Sequence, residues 1–270
     1  MKQRVISAAV MIVLAVGCML ISPFTRILLF TAAAVLSIRE LKNVFHLMDI
    51  KCVDWALYMY IGGHAALCAV SLYFAISPVT YIAWAFFAVF CAMLSGIVSE
   101  AVRGKGAMAT MGILVYPLFS YAAITLISIN DGWVAVFILA CLATWICDSF
   151  ALFGGKAFGK HKVAPYVSPH KTVEGCICGA LSSLLAGVIS FFIIRALEAP
   201  VDMWICLVVS LIASTFGQVG DLAASLLKRM VGLKDYSNLI PGHGGMMDRA
   251  DSLLFSIPAA WYCLYILQAI

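Results

Sequence analysis

Charge is what this chain has least of. Asp, Glu, Lys and Arg make up 11% of its 270 residues, where a soluble domain carries about 25%. Apolar residue types make up 64% instead. No water-soluble core needs that share, and repeated apolar runs near 20 residues read as membrane-spanning helices. The expectation is an integral membrane protein with no nucleic-acid partner.

Other absences narrow the chemistry. None of the ten cysteines pairs at CxxC spacing, so zinc and dithiol redox signatures are missing. Most lie in apolar runs and read as small buried hydrophobes. The phosphate-loop pattern GxxxxGK[ST] does not occur, which argues against a P-loop ATPase. No internal repeat stands out, so an inverted-repeat transporter gains no support. Lys2 and Arg4 followed by an apolar run resemble a signal peptide. The run is long for one, and further spans follow at once, so an uncleaved first helix is expected.

What is present is apolar sequence in blocks. Nine spans are read at 5–22, 27–40, 55–76, 79–98, 108–129, 133–153, 175–195, 203–223 and 252–270, giving an all-α, polytopic membrane protein. Residues 1–130 read as N-terminal transmembrane helices. Residues 131–270 read as a catalytic region with cytoplasmic loops 154–174 and 224–251. With the N-terminus in the cytoplasm, all of the 17 basic residues except Arg26 and Arg195 fall on inside segments, as the positive-inside rule requires. Glu40 and Glu100 fall at span ends and are expected to be solvated interfacial carboxylates.

The charge that exists is concentrated. The stretch from Asp221 to Asp251 holds Asp221, Lys228, Arg229, Lys234, Asp235, Asp248, Arg249 and Asp251, with His243 among three glycines. On a continuing helix, Asp221, Ser225 and Lys228 at i, i+4 and i+7 share a face. Gly232 breaks that pattern, and Pro241-Gly242-His243-Gly244-Gly245 reads as a tight turn. Asp248 and Asp251 are three apart and can share a face at the head of the last span. Paired carboxylates suit Mg²⁺, which keeps waters and shares one or two carboxylates with substrate phosphates. Asp221 and Asp248 are the expected pair. His243 is read as a hydrogen-bonding or phosphate-contacting side chain rather than a metal ligand. A mutually paired salt-bridge network is the bland alternative, and it needs no glycine-rich turn.

The first inside loop carries Gly154, Gly155, Lys156, Gly159, Lys160 and Lys162, then Ser168 to Gly175. Glycines let backbone amides converge on an anion and lysines add point charge. Lys171 or Thr172 falls near the start of the seventh span, where a helix N-terminus adds partial positive charge. An ordinary positive-inside loop is the alternative, and it is preferred for Lys160 and Lys162. Asp148 lies inside the sixth span, which makes it a functional suspect.

The pattern Ser225-x-x-Lys228-Arg229, then Lys234-Asp235, then Pro241-x-His243-Gly244-Gly245-x-x-Asp248-Arg249-x-Asp251 resembles the signature of phosphatidate cytidylyltransferases (CDP-diacylglycerol synthases). The stretch Asp148 to Gly175 is similar too. Ala224 stands where that family often has Glu, Ala250 where it has a larger apolar residue, and Lys156 and His170 where Arg and Lys or Arg are common.

The resemblance implies CTP and phosphatidate as substrates, with CDP-diacylglycerol and pyrophosphate as products. The lipid would arrive from the inner leaflet of a bacterial inner membrane, at a site facing the cytoplasm. It assigns Asp221 and Asp248 to Mg²⁺, with Asp251 and Asp148 in support. Lys171, Lys228, Arg229 and Arg249 would hold phosphates. Thr172, Ser225, Lys234, His243, Gly244 and Gly245 would shape the substrate pocket. A second, monovalent cation and a homodimer are left open. The alternatives are a CTP-dependent kinase of a membrane isoprenoid alcohol and, in a different class, a transporter of an anionic solute. The CDP-alcohol phosphotransferase pattern DGxxAR is absent.

Overall fold

A computed structural model of the chain describes residues 2–199 and 201–269, with side chains from residue 6 to 267 apart from 200. The side chains of Lys2 and Arg4 and the final residue of the last apolar run lie outside the described residues. The elements are α1 (Lys2–Ile21), α2 (Pro23–His46), α3 (Asp54–Ser71), α4 (Pro78–Val98), α5 (Arg103–Ile113), α6 (Phe119–Ile129), α7 (Trp133–Phe158), β1 (Lys162–Ala164), β2 (Ser168–Thr172), α8 (Val173–Ala196), α9 (Met203–Met230), α10 (Met247–Ala250) and α11 (Leu253–Ala269). A π-helical turn at Leu114–Leu118 joins α5 to α6 around Pro117, whose missing N–H interrupts the regular ladder.

The chain is a mainly helical integral membrane protein. Among the described residues, six helical segments are long and apolar enough to cross a membrane: Pro78–Val98, Arg103–Ile129, Trp133–Phe158, Val173–Ala196, Met203–Met230 and Met247–Leu267. α1 contributes a shorter apolar stretch, Ile6–Ile21. Large apolar side chains such as Phe86, Ile97, Leu181 and Phe192 point outward, as lipid-facing surface does. The second apolar run, read as 27–40, is instead part of a 24-residue helix. The loop expected at 154–174 is shorter and partly ordered. There α7 continues to Phe158, and Lys162–Ala164 pairs antiparallel with Ser168–Thr172 in a two-stranded ribbon.

The chain packs as two units. The first comprises Met1–Ile129 and Asp235–Arg249. Its α1–α2 corner is set by local chemistry. The Ser22 side chain accepts the Thr25 amide while the Thr25 hydroxyl accepts the Ser22 amide, a reciprocal cap. Pro23 sits at the first helical turn, where an N–H has no partner to lose. Ile38, Leu41, Val44, Leu57, Leu114 and Leu118 form the buried apolar centre. Polar atoms within it are paired, as an apolar surrounding demands. Ser37 and Tyr121 share a hydrogen bond at 2.9 Å, and the Arg26 guanidinium donates to the Ser128 carbonyl.

The second unit comprises Asn130–Lys234 and Ala250–Ile270. Here α7, α8, α9 and α11 pack through small residues, the usual device where lipid removes any hydrophobic drive between helices. A Cβ on Gly179 would stand 2.8 Å from the Cys147 carbonyl oxygen, and one on Gly187 2.8 Å from that of Cys206. Gly175 faces the Ala151 carbonyl and the Gly155 Cα just as closely. These approaches bring the N-terminal turn of α8 against the last two turns of α7.

Candidate active site

In the second unit, the close α7–α8 approach gathers the polar residues of the first inside loop. Thr172 is the N-cap of α8 and its hydroxyl accepts the Gly175 amide at 3.2 Å. Glu174, in the first turn, accepts the Lys160 and His161 amides at 3.0 and 3.2 Å and meets His161 Nδ1 at 2.6 Å. That latch closes the β1–β2 ribbon at its base. Lys171, last but one in β2, reaches α9, where its Nζ lies 2.5 Å from Asp221 Oδ2. Beyond that ion pair the ammonium has no hydrogen-bond partner among the described residues, although the atom is enclosed. Asp148 of α7 lies within electrostatic reach of both Asp221 and Lys171.

The helix expected through Asp221, Ser225 and Lys228 is continuous to Met230, and Gly232, at φ +71°, ends it. Asp221 and Ser225 are half-buried and Lys228 is buried. Ala224 is fully buried, so the position lacks the carboxylate that the resemblance leads one to look for. Arg229 donates from Nε to the Val167 carbonyl at 3.2 Å and from Nη1 to the Leu233 carbonyl at 2.9 Å. It ties the tip of the ribbon to the end of α9. In the same unit, Asp251 accepts the Ser252 amide at 2.7 Å, just before α11. Two turn residues, Asp251 and Ser252, separate α10 from α11 within the Met247–Leu267 segment; Asp248 falls in the first packed unit and Asp251 in the second.

In the first unit, residues 235–249 fold into a glycine-dependent loop. Gly242 and Gly244 take φ of +76° and +83°, backbone that glycine adopts without strain. Ile240 and Gly244 pair across the turn. Asp248 is buried, and its Oδ2 accepts the Tyr236 and Gly245 amides at 2.8 and 2.9 Å. The Ser7 hydroxyl donates to the Pro241 carbonyl at 3.0 Å and lies 2.9 Å from His243 Nδ1. With the Ser7 proton given to Pro241, the tautomer that satisfies both contacts carries its proton on Nδ1 and leaves Nε2 as an acceptor. Lys234 and Arg249 are exposed.

Glu40 corrects the expectation of a solvated carboxylate. It is buried, and it accepts from Ser237 Oγ at 2.6 Å and from the Met246 and Met247 amides at 2.8 Å each. Gly245 lies flat against its carboxylate, where any Cβ would overlap it. Reading the second span as ending at residue 40 hid this, because α2 runs six residues further. The rule that singled out Asp148, an ionisable side chain inside an apolar helix, singles out Glu40 equally. Ser7 offered no such signal.

Among the described residues no three His, Cys, Asp or Glu side chains gather as a metal cage. Asp148 and Asp221 are the carboxylates of this unit whose oxygens are of the kind Mg²⁺ takes, alongside waters and substrate phosphate oxygens.

Comparison with known proteins gives the family. The model of the cytidylyltransferase family matches residues 2–267. A phosphatidate cytidylyltransferase of Staphylococcus haemolyticus is 42% identical over 119 residues, covering 44% of this chain and 45% of that protein. Those of Staphylococcus aureus and Staphylococcus saprophyticus are 44% and 40% identical over 119 and 121 residues, again across 45% of their length. The chain thus spans less than half the length of these curated relatives. With a family match across nearly all of its residues, the chain belongs to the cytidylyltransferase family.

Proposed function

We propose that the protein is a phosphatidate cytidylyltransferase, joining the phosphate of phosphatidate to the α-phosphorus of CTP and releasing pyrophosphate. The observation that carries this reading is the Lys171–Asp221 ion pair with Asp148 beside it. Two carboxylates and an under-coordinated ammonium on an inner helix end are what a triphosphate and its counter-cation need. The attacking lipid phosphate is already an anion, so no strong general base is required. The residues' work is positioning and charge neutralisation along an in-line path. Lys171 and Lys228 supply positive charge to phosphate oxygens. Thr172 holds the α8 N-terminus, with its partial positive charge, in place. Arg229 keeps the ribbon against α9. His243 offers an acceptor from a turn whose shape its glycines set. Bound Mg²⁺, which Asp221 and Asp148 would hold, would neutralise charge developing on the triphosphate.

The proposed placement is a bacterial inner membrane, with nine crossings, the N-terminus in the cytoplasm and the polar loops facing it. Ser7 near the start of α1 and Glu40 in the last turns of α2 both meet loop 235–249. That supports putting all three on one side.

Purified protein in detergent, given CTP, phosphatidate and Mg²⁺, is expected to release pyrophosphate and form CDP-diacylglycerol. Chelation by EDTA should stop it and added Mg²⁺ restore it. Asp221→Asn should lower turnover by roughly 100-fold or more. Release of CDP from CTP with an isoprenoid alcohol as acceptor would move the assignment to a kinase. Undiminished product in EDTA would remove the metal from the reading.

A further inference from the structure

We infer that Glu40 is a positioning residue for the proposed reaction: it holds loop 235–249 in the conformation that presents its glycines and His243 to a phosphate-bearing substrate. The inference rests on the function proposed above, and its structural half stands without it.

Glu40 bonds to both ends of the loop. Ser237 donates from the beginning, and Met246 and Met247 donate from the end. Asp248 makes the complementary tie from within the loop, through Tyr236 and Gly245. The two carboxylates therefore pin residues 236–237 to residues 245–247, and the segment containing His243 is closed between them. Ser7 adds a third tie at Pro241 and His243.

The chemistry of the clamp requires a carboxylate. All three donors point at Glu40, and an ionised carboxylate is an acceptor at both oxygens. A glutamine would turn an NH₂ toward one of the amides. Among the described residues no Lys or Arg pairs with Glu40, so its charge is compensated by these hydrogen bonds alone. Burying a carboxylate in a greasy helix is costly. Where only stability is at stake, packed apolar groups serve as well or better than buried charge. The cost makes sense if the loop must hold one shape against the pull of a bound polyanion. The flat contact with Gly245 leaves no room for a side chain there, which joins the helix residue to the glycine-rich turn.

The test uses the full-length protein in detergent, as wild type, Glu40→Gln and the milder Ser237→Ala. Hydrogen exchange is read at the Met246 and Met247 amides, and turnover is measured per folded molecule against CTP. Glu40→Gln should speed exchange at those two amides while α3 and α6 stay protected. It should also lower kcat/KM for CTP at least about tenfold, consistent with loss of a charge-assisted hydrogen bond. Ser237→Ala should show the same pattern, several-fold smaller. A merely structural Glu40 would reduce yield and melting temperature but leave turnover per folded molecule unchanged, and that result overturns the positioning role. Unchanged exchange at Met246 and Met247 overturns the clamp itself. If the wild-type protein makes no CDP-diacylglycerol, the functional reading fails, and the exchange data still decide the clamp.

Discussion

Lys171 is where charge is least settled. Its side chain is 24% exposed and that of its partner Asp221 is 30% exposed. Removing the ammonium therefore strands no fully buried anion, because Asp221 can regain water. Lys171→Met should be made and folded normally. Its kcat/KM for CTP should fall by roughly 100-fold, the usual effect of losing one charge-stabilising group in an active site. A variant within twofold of wild type would remove Lys171 from the chemistry and leave it a β2–α9 strap. Arg229 is different, because its recorded bonds go to backbone carbonyls. The family resemblance put Lys228 and Arg229 together as phosphate ligands. It could not show that one is buried in the helix face and the other turned to the ribbon. Asp221 and Thr172 were legible because helix periodicity and cap chemistry act over a few residues. Glu40 and Ser7 were not, because their partners lie about 200 residues away in the chain.

At the scale of elements, the α7–α8 pair is built on glycine. Gly154 and Gly155 face Gly175 and Cys178, and Gly179 meets Cys147 and Ala151. The sequence showed these glycines but read the first set as anion-binding loop. In the structure they lie within helices and let two backbones touch. The reason is that α7 extends to Phe158, past the point where hydropathy alone would end it. Gly179→Val should push α8 away from α7, because the added Cβ meets a backbone oxygen that cannot move aside. The cost is about 1–3 kcal/mol by overpacking. It should appear as a lower melting temperature in detergent, with loss of activity in step, since Lys171 and Asp221 ride on the elements displaced. Gly112, whose Cβ direction is open, is the control, and Gly112→Ala should melt like wild type. Equal behaviour of the two variants would dissolve the claim that close approach is what Gly179 is for.

At the scale of the whole molecule, contacts with the loop constrain how many times the chain crosses the membrane. The Glu40 carboxylate and the Met246 and Met247 amides are bonded, so they lie on one face, and an even number of crossings must separate them. Five of the six segments that qualify by length and composition fall between them. On that count α3 is predicted to supply the sixth. Ser7 also meets the loop, at Pro241 and His243, so α1 and α2 either both cross or both stay on one side. Ile6–Ile21 is 16 residues, about 24 Å of helix, and Val10, Val13 and Leu14 point outward along it. That favours a crossing hairpin with its Ser22 corner on the far side. The prediction is nine crossings, with the basic segments at 39–51, 103–105, 154–174 and 224–249 on one face, as the positive-inside rule asks. Six crossings would instead put 39–51 and 154–174 on opposite faces. In intact cells, a cytoplasm-dependent fluorescent reporter should be bright when fused to the N-terminus and dark when fused to the C-terminus. An impermeant thiol reagent should label Ser22→Cys from outside, in a background whose native Cys18 has been replaced by Ala. A bright C-terminal fusion would mean an even count and would break the parity argument at α3. A dark C-terminal fusion with an unlabelled Ser22→Cys would mean seven crossings, with the α1–α2 hairpin lying on the cytoplasmic side.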